Sequence, residues 1–241
     1  MQVCIYVGRP FLKSLKDVGL TNQIYSRYIA PLNIYNLAKN YPMSLPSERQ
    51  YWQSFKASNV DAFEYLYRTY SAGLYNYGSK FSKDKDLIKE CVQDLFIGIW
   101  TRRTTLGNPE HLKNYFYKSF RHLLFKKTFQ LQNFEVYEEE RENYSFHVSL
   151  NVEEAIIDGE HNLKVTEQLN LVMAKLTARQ REAVFLKFYE QLSYEEIAEV
   201  MGISVKASYK IMARALGFMK ENLSKDDLML LSLLLHLKLL S

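Results

Sequence analysis

The sequence predicts an all-α protein of two small helical domains joined by an acidic flexible linker, the second being a four-helix domain with a helix-turn-helix and no wing. Apolar residues recur at helical spacing in two stretches, paired capping signals mark a helix-turn-helix in the second stretch, and a run of glutamates separates the two. We place an N-terminal extension at 1–45, the first domain at 46–130, the linker at 131–162, the second domain at 163–224 and an apolar tail at 225–241.

Two capping boxes fix the starts of two successive helices in the second domain. Thr177 is followed by Gln180 and Ser193 by Glu196, and in each pair the side chains satisfy backbone N–H groups that a helix start leaves without partners. The second of these helices ends at Gly202, which can adopt a positive φ and turn the chain into a third helix. The pattern is typical of a helix-turn-helix that enters a DNA groove.

The third predicted helix has a basic exposed face. No acidic residue occurs between Glu199 and Glu221, so the lysines and arginine of this helix would attract a phosphate backbone. Its first turns would face base edges in the major groove. The residues predicted to bind duplex DNA are Ser204, Lys206, Ala207, Tyr209, Lys210 and Arg214. The alternative is a solvated basic face on an ordinary helical domain, and we favour DNA binding because both capping boxes and the glycine turn are present.

Composition permits an anionic partner and offers no enzyme chemistry. The chain has 241 residues, 47% of them hydrophobic, and a formal net charge of +4. Cys4 and Cys91 are too far apart in sequence for a disulfide framework or a zinc site, so we expect two free thiols in a reducing cytosol. The histidines have no metal-ligand spacing, and there is no phosphate loop or nucleophile motif. We therefore predict no catalytic residue, metal, cofactor or small-molecule substrate.

The first domain reads as helical from Asp61 to Leu124. Its segment from Leu87 to Trp100 repeats pairs of apolar residues every four positions and carries a polar face that includes Glu90, Gln93 and Asp94. A basic, turn-rich loop follows at residues 102–108. Asn108 and Pro109 then have the character of an N-cap and a first helical residue, which predicts the start of another helix there.

That last helix mixes basic residues with aromatic ones. Cations hold phosphates and ring faces replace lost base stacking, so the mixture suits unstacked nucleic acid. The alternative is that the rings line a helical core, and we accept it for Phe116 and Phe120, whereas Lys113, Tyr117, Lys118 and Arg121 are predicted to form an exposed contact face. The acidic run after Phe134 is interpreted as a solvated linker that can hold two DNA-binding units well apart; a second hypothesis lays it in a basic channel of a partner.

Three segments in this order resemble the sigma-70 family of bacterial RNA polymerase sigma factors, in its small extracytoplasmic-function branch. They are DLIKECVQDLFIGIW, HLKNYFYKSFRHLL and LTARQREAVFLKFYEQLSYEEIAEVMGIS, with the acidic run before the last, and the resemblance covers about Trp52 to Leu223. It implies a cytoplasmic, non-enzymatic subunit that binds core RNA polymerase, binds promoter DNA as duplex and as melted strand, spans no membrane and is held inactive by an anti-sigma protein.

The resemblance also assigns roles to residues. Glu90, Gln93, Asp94 and Ile97 would dock on the clamp helices of the largest polymerase subunit. The loop and the helix after it would recognise and open the minus-ten element, through Arg102, Arg103, Thr104, Asn108, Lys113, Tyr117, Lys118 and Arg121. The third helix of the second domain would read the minus-thirty-five element in duplex form.

Two positions depart from the family pattern. Ser208 stands where the third helix usually has a branched apolar residue, and His122 where an asparagine commonly follows the arginine. They leave open whether Tyr209 faces bases or fills space beside Ser208.

The ends of the chain admit several interpretations. Residues 1–42 are either an overextended start, with Met43 as the usual first residue, or a basic arm. The apolar segment Leu228–Ser241 is too short for a membrane span and would pack on the core or bind an anti-sigma protein. Two other classes of function remain, a free-standing helix-turn-helix regulator and an interaction protein that uses this tail. The block Leu87–Phe125 separates the leading hypothesis from the regulator, which needs neither a polymerase-docking helix nor an aromatic melting face.

Overall fold

The structure, a computed structural model, describes residues 47–130, 144–148 and 168–223, and the secondary structure within these ranges is helical without strands. The helices are α1 Glu48–Lys56, α2 Val60–Gly78, α3 Lys85–Thr101, α4 Leu112–Gln130, α5 Ala178–Phe188, α6 Tyr194–Met201 and α7 Val205–Asn222, and residues 168–175 are also helical. We call α1–α4 the N-terminal bundle and residues 168–223 the C-terminal unit. The all-α prediction is confirmed.

Local capping chemistry sets the helix starts of the C-terminal unit as the sequence predicts. Thr177 and Ser193 are N-caps of α5 and α6, and each forms the reciprocal bonds of a capping box with its glutamine or glutamate partner. Gly202 ends α6 at φ 65° and ψ 40°, in the left-handed conformation. Residues with a Cβ are strained there, whereas glycine is not. Ser204 then caps α7. The helix-turn-helix therefore follows from signals within the sequence itself.

An aromatic cluster forms the core of the N-terminal bundle. Phe116 of α4 is fully buried, and its ring centroid lies 4.4 Å from that of Tyr70 and 5.4 Å from that of Phe96. Trp52 of α1 meets the same ring edge to face at 6.3 Å. Such ring pairs add to the free energy of burial. Phe120 is also fully buried, so the core interpretation of Phe116 and Phe120 is confirmed.

Gly78, at the end of α2, lets α3 and α4 approach closely. A Cβ at this position would lie 2.8 Å from Ile88 Cγ2 and 2.9 Å from Phe120 Cζ, both of which belong to buried core side chains. We expect Gly78→Ala to lower the free energy of unfolding by roughly 1–3 kcal/mol through overpacking, as measured by urea denaturation. Gly98→Ala is the matched control, since its Cβ would meet nothing closer than 3.7 Å. Equal stability of the two variants would contradict the close approach at Gly78.

The start of α4 differs from the prediction. Asn108 and Pro109 do not cap or open the helix, which begins at Leu112. The Asn108 side-chain oxygen instead accepts hydrogen bonds from Gln53 Nε2 at 3.0 Å and Lys56 Nζ at 3.1 Å. The loop before α4 is therefore tied to α1, because the asparagine finds its donors in another helix rather than in its own.

The N-terminal bundle and the C-terminal unit pack against each other and share one continuous hydrophobic core, with α4 lying along α6. This arrangement differs from the expected separation of the two domains. Part of the predicted linker, residues 144–148, lies between them, and the fully buried Phe146 places its ring 4.8 Å from Phe81 and 5.8 Å from Phe185. The reason is that this acidic run also contains large aromatic residues whose burial is favourable. Residues 131–143 and 149–162 of the linker lie outside the described residues.

Several expected features lie partly outside the described residues. Cys91 is a free, buried thiol, and burial raises its pKa to about 12, whereas Cys4 belongs to the undescribed N-terminal extension. Within the described ranges we find no group of residues arranged to hold a metal ion. The helices of these ranges are likewise too short or too polar to cross a membrane. The apolar tail from Leu228 lies outside the described residues.

Candidate nucleic-acid interface

Helix α7 presents the residues predicted to bind duplex DNA on its solvent-facing side. Lys206, Tyr209, Lys210 and Arg214 are exposed, and Ala207 is half-buried at the first turn. The exposed Ser204 is the N-cap, and its hydroxyl accepts a hydrogen bond from the backbone N–H of Ala207. Spacings of three and four residues bring the basic side chains to one face, so the structure groups these residues as the sequence predicts.

The structure also shows where Tyr209 lies. Ser208 itself fills the space at the helix contact, with a side chain that is 1% exposed and an Oγ that lies 2.9 Å from the carbonyl oxygen of Tyr194. Tyr209 is 49% exposed and stacks on the ring of Tyr194. Tyr209 therefore packs against Tyr194 while about half of its surface stays exposed, and its contact with bases stays a prediction.

The polar side of α3 holds the residues predicted to dock on polymerase. Glu90 is exposed, while Gln93, Asp94 and Ile97 are half-buried, and their spacing places all four along one side of the helix. Lys127 of α4 bridges two of them, with Nζ 2.7 Å from Glu90 Oε1 and 2.5 Å from Asp94 Oδ2. Burial would lower the pKa of Lys127, but hydrogen bonds to the two carboxylates raise it above its usual value.

The basic loop between α3 and α4 combines solvent-exposed residues with an arginine held by contacts with the rest of the bundle. Arg102 and Thr104 are exposed. Arg103 lies with its guanidinium 4.4 Å from the ring centroid of Trp100, and it donates to Ser58 Oγ at 2.8 Å and to the Trp100 carbonyl at 2.8 Å. The guanidinium of Arg103 is therefore already stabilised by contacts within the protein, including a cation–π contact with the indole ring.

The C-terminal unit packs against the nominated residues of α4 and covers them unequally, since Lys113 is half-buried and Lys118 stays exposed. Lys113 Nζ lies 3.0 Å from Glu190 Oε2, and Lys118 Nζ lies 3.6 Å from Glu199 Oε2. The Tyr117 side chain is 1% exposed. The expectation that Tyr117 and Arg121 form an exposed contact face is thus wrong for this arrangement, because α5, α6 and the loop between them occupy the place predicted for nucleic acid.

A buried carboxylate, Glu182 of α5, lies at the centre of this contact. It is 0% exposed, and Arg121 donates to it from Nε at 2.7 Å and from Nη2 at 3.3 Å. The Tyr77 hydroxyl donates to the same carboxylate at 2.5 Å, and the Tyr144 hydroxyl donates to its second oxygen. Burial would lower the pKa of Arg121, but the carboxylate beside it raises that pKa. The pKa of Tyr77 is raised by its burial and by the same charge. We call these four residues the Glu182 cluster.

Sequence reasoning missed the acidic side of this interface. Glu182, Glu190 and Glu199 were not singled out, although Glu182 is a charged residue within the apolar run REAVFLKF of a helix that must bury its other side chains. A charge in such a position is rarely left without a partner. That signal predicts a buried counterion but not which residue supplies it.

Comparison with known proteins agrees with the helix-turn-helix geometry. Residues 166–219 match the family described as sigma-70, region 4. The chain is 26% identical over 154 residues to the RNA polymerase sigma factor SigV of Bacillus subtilis (strain 168). The aligned residues cover 64% of this chain and 86% of that protein.

Two solved structures have lower similarity. The structure of CnrH in complex with the cytosolic domain of CnrY has a TM-score of 0.49 and 17% identity, and covers 73% of this chain and 96% of that one. The co-crystal structure of the sigma factor RpoE with the anti-sigma factor NepR from Bartonella quintana has a TM-score of 0.47 and 20% identity. Its match covers 68% of this chain and 98% of that chain. The region 4 match and the SigV relative confirm the resemblance to the sigma-70 family that the sequence carries.

Proposed function

We propose that this chain is a sigma factor, which binds core RNA polymerase and directs promoter-specific initiation by reading the minus-thirty-five duplex with α7 and by opening the minus-ten element with the α3–α4 loop and α4. The observation that carries the proposal is the exposed basic face of α7 within a fully capped helix-turn-helix. Phosphate contacts from Lys210 and Arg214 would supply affinity and register, while Lys206 and Tyr209 lie where base edges would be read. No enzymatic activity is expected of this chain.

We call the packing of the C-terminal unit against α4 the closed arrangement, and it is suited to only one of the two DNA tasks. The α7 face is exposed, whereas Lys113, Lys118 and Arg121 of α4 are paired with carboxylates of the C-terminal unit. These carboxylates occupy the positions that phosphates would take, so melted DNA and the C-terminal unit would compete for one face. Recognition of the minus-ten element therefore requires the N-terminal bundle and the C-terminal unit to separate.

Two protein partners follow from the proposal. The side of α3 that carries Glu90 and Asp94 is accessible for docking on core polymerase, in the part of the molecule where the sigma-70 resemblance predicts it. The same resemblance implies an anti-sigma protein, and the closed arrangement is the form that such an inhibitor would have to stabilise. The chain would then act in the cytoplasm, where polymerase and promoters are found.

The deciding experiment is promoter-specific transcription by purified core polymerase with and without this chain. Lys210→Glu is expected to weaken promoter binding by about tenfold and to reduce the slope of log affinity against log salt by about one, because a phosphate contact is lost. Lys83→Glu carries the same charge change at an exposed position outside α7 and should leave both values unchanged. A chain that bound duplex DNA but conferred no initiation on core polymerase would instead be the free-standing helix-turn-helix regulator.

A further inference from the structure

Two tyrosines of neighbouring helices form a stack at the edge of the α7 face. The ring centroids of Tyr194, the first residue of α6, and Tyr209 lie 4.1 Å apart with 28° between the ring planes. The ammonium of Lys187 lies 4.8 Å from the centroid of Tyr194, and it also donates to the Leu192 carbonyl at 3.1 Å. Tyr194 is therefore fixed by the body of the C-terminal unit, and Tyr209 rests on it.

The serine that departs from the family pattern brings the two helices together at this point. Ser208 Oγ lies 2.9 Å from the carbonyl oxygen of Tyr194 and 2.7 Å from that of Val205, and either can accept its single proton. A branched apolar side chain could not donate and would be larger. The small hydroxyl thus lets α7 approach the first residue of α6, beneath the tyrosine stack.

We infer that Tyr194 is a positioning residue for base reading, holding the ring of Tyr209 so that it contacts the methyl group of a thymine in the minus-thirty-five duplex; this inference rests on the proposed function. A half-exposed tyrosine without support would lose side-chain freedom on binding, whereas a stacked one has lost much of it beforehand. Tyr209 is 49% exposed and lies three residues from Lys206 on the exposed face of α7. Thymine is the base whose major-groove edge carries a methyl group, which suits an apolar ring edge.

The experiment replaces thymine by uracil, which removes that methyl and nothing else. Duplexes are selected from a random-sequence pool by the full chain, alone and bound to core polymerase, and each thymine of the selected sequence is then exchanged singly. We expect one position at which uracil weakens binding by about fourfold, the value for burying one methyl-sized group. Tyr209→Ala should abolish this ratio and Tyr194→Ala should reduce it, while Tyr194→Phe, which can still stack, should keep it.

The control is Lys210→Ala, which should weaken binding to thymine and uracil duplexes equally and lower the salt dependence. A variant that has lost its structure would not change the thymine-to-uracil ratio and the salt dependence separately. Far-UV circular dichroism verifies the fold of each variant. If Tyr194→Ala does not fold, Tyr194→Leu fills the space without an aromatic face and should show the same reduced ratio.

Three results would overturn the inference: no thymine position whose ratio depends on Tyr209, a native ratio in the Tyr194 variants that cannot stack, or no selected duplex with either form of the chain. Failure of the proposed function has a different signature. In that case the thymine preference would persist while core polymerase gained no promoter-specific initiation.

Discussion

Replacing Arg121 with alanine is expected to separate the C-terminal unit from the N-terminal bundle. Glu182 is 0% exposed, and the substitution leaves this carboxylate without a counterion. Breaking a buried ion pair in this way costs roughly 3–5 kcal/mol. The hydroxyls of Tyr77 and Tyr144 still donate to the carboxylate but carry no positive charge. Because the cluster joins α4 to α5, opening of the contact relieves the burial without unfolding either part.

The measurement is the radius of gyration from small-angle X-ray scattering, together with helix content from circular dichroism. We expect Arg121→Ala to increase the radius and to preserve most of the helix content. The matched control combines Arg121→Met with Glu182→Gln, which removes both charges while the amide oxygen still accepts from the tyrosines. Since uncharged replacements of buried ion pairs are often neutral or stabilising, this variant should stay compact. A compact Arg121→Ala chain would show that the Glu182 cluster does not hold the parts together.

A functional consequence of opening can be measured in a variant that keeps the arginine. Glu182→Gln removes the charge that holds Arg121, so we expect tighter binding of a single-stranded oligonucleotide by the free chain, while duplex binding through the already exposed α7 face should change little. An unchanged preference for single strand over duplex would argue against competition for the α4 face.

Asp94→Arg is expected to abolish most of the affinity for core polymerase. Charge reversal at a docking surface places like charges opposite each other at a cost of several kcal/mol, which corresponds to a loss on the order of a hundredfold. Within the chain the effect should be small, because the pair of Asp94 with Lys127 is partly exposed and Glu90 remains as a partner of the lysine. Affinity is measured by fluorescence polarisation of the labelled chain titrated with core polymerase.

Asp86→Arg is the control for the polymerase measurement. It makes the same charge change on the same helix, at a carboxylate that is 93% exposed and pairs with Lys89 in the first turn of α3. The helix dipole contributes about 0.3–1 kcal/mol to its cost in stability, and the loss of the exposed pair with Lys89 adds little. If Asp94→Arg kept the native affinity for core polymerase, or if both variants lost affinity equally, this side of α3 would not be the docking surface.

Elements whose signals are local can be predicted from the amino-acid sequence. The caps at Thr177 and Ser193 and the positive φ of Gly202 depend on residues at most a few positions apart, so they can be read from the chain. The same is true of the α7 face, because helical spacing alone decides which side chains share it. The start of α4 differs from the prediction for the opposite reason: Asn108 has good capping character, but its partners Gln53 and Lys56 are more than fifty residues away.

Which of the predicted exposed faces is accessible to solvent depends on long-range packing. Helical spacing groups Lys113, Tyr117 and Arg121 correctly, yet it contains nothing about the carboxylates that meet them. The partner of Arg121 is 61 residues away in sequence, and the pairing depends on how two amphipathic units bury their remaining apolar surface, including Phe146 from the acidic run. Periodicity specifies the faces of helices, whereas long-range packing specifies which faces meet, and for this protein that choice determines which of the proposed DNA-binding faces is exposed.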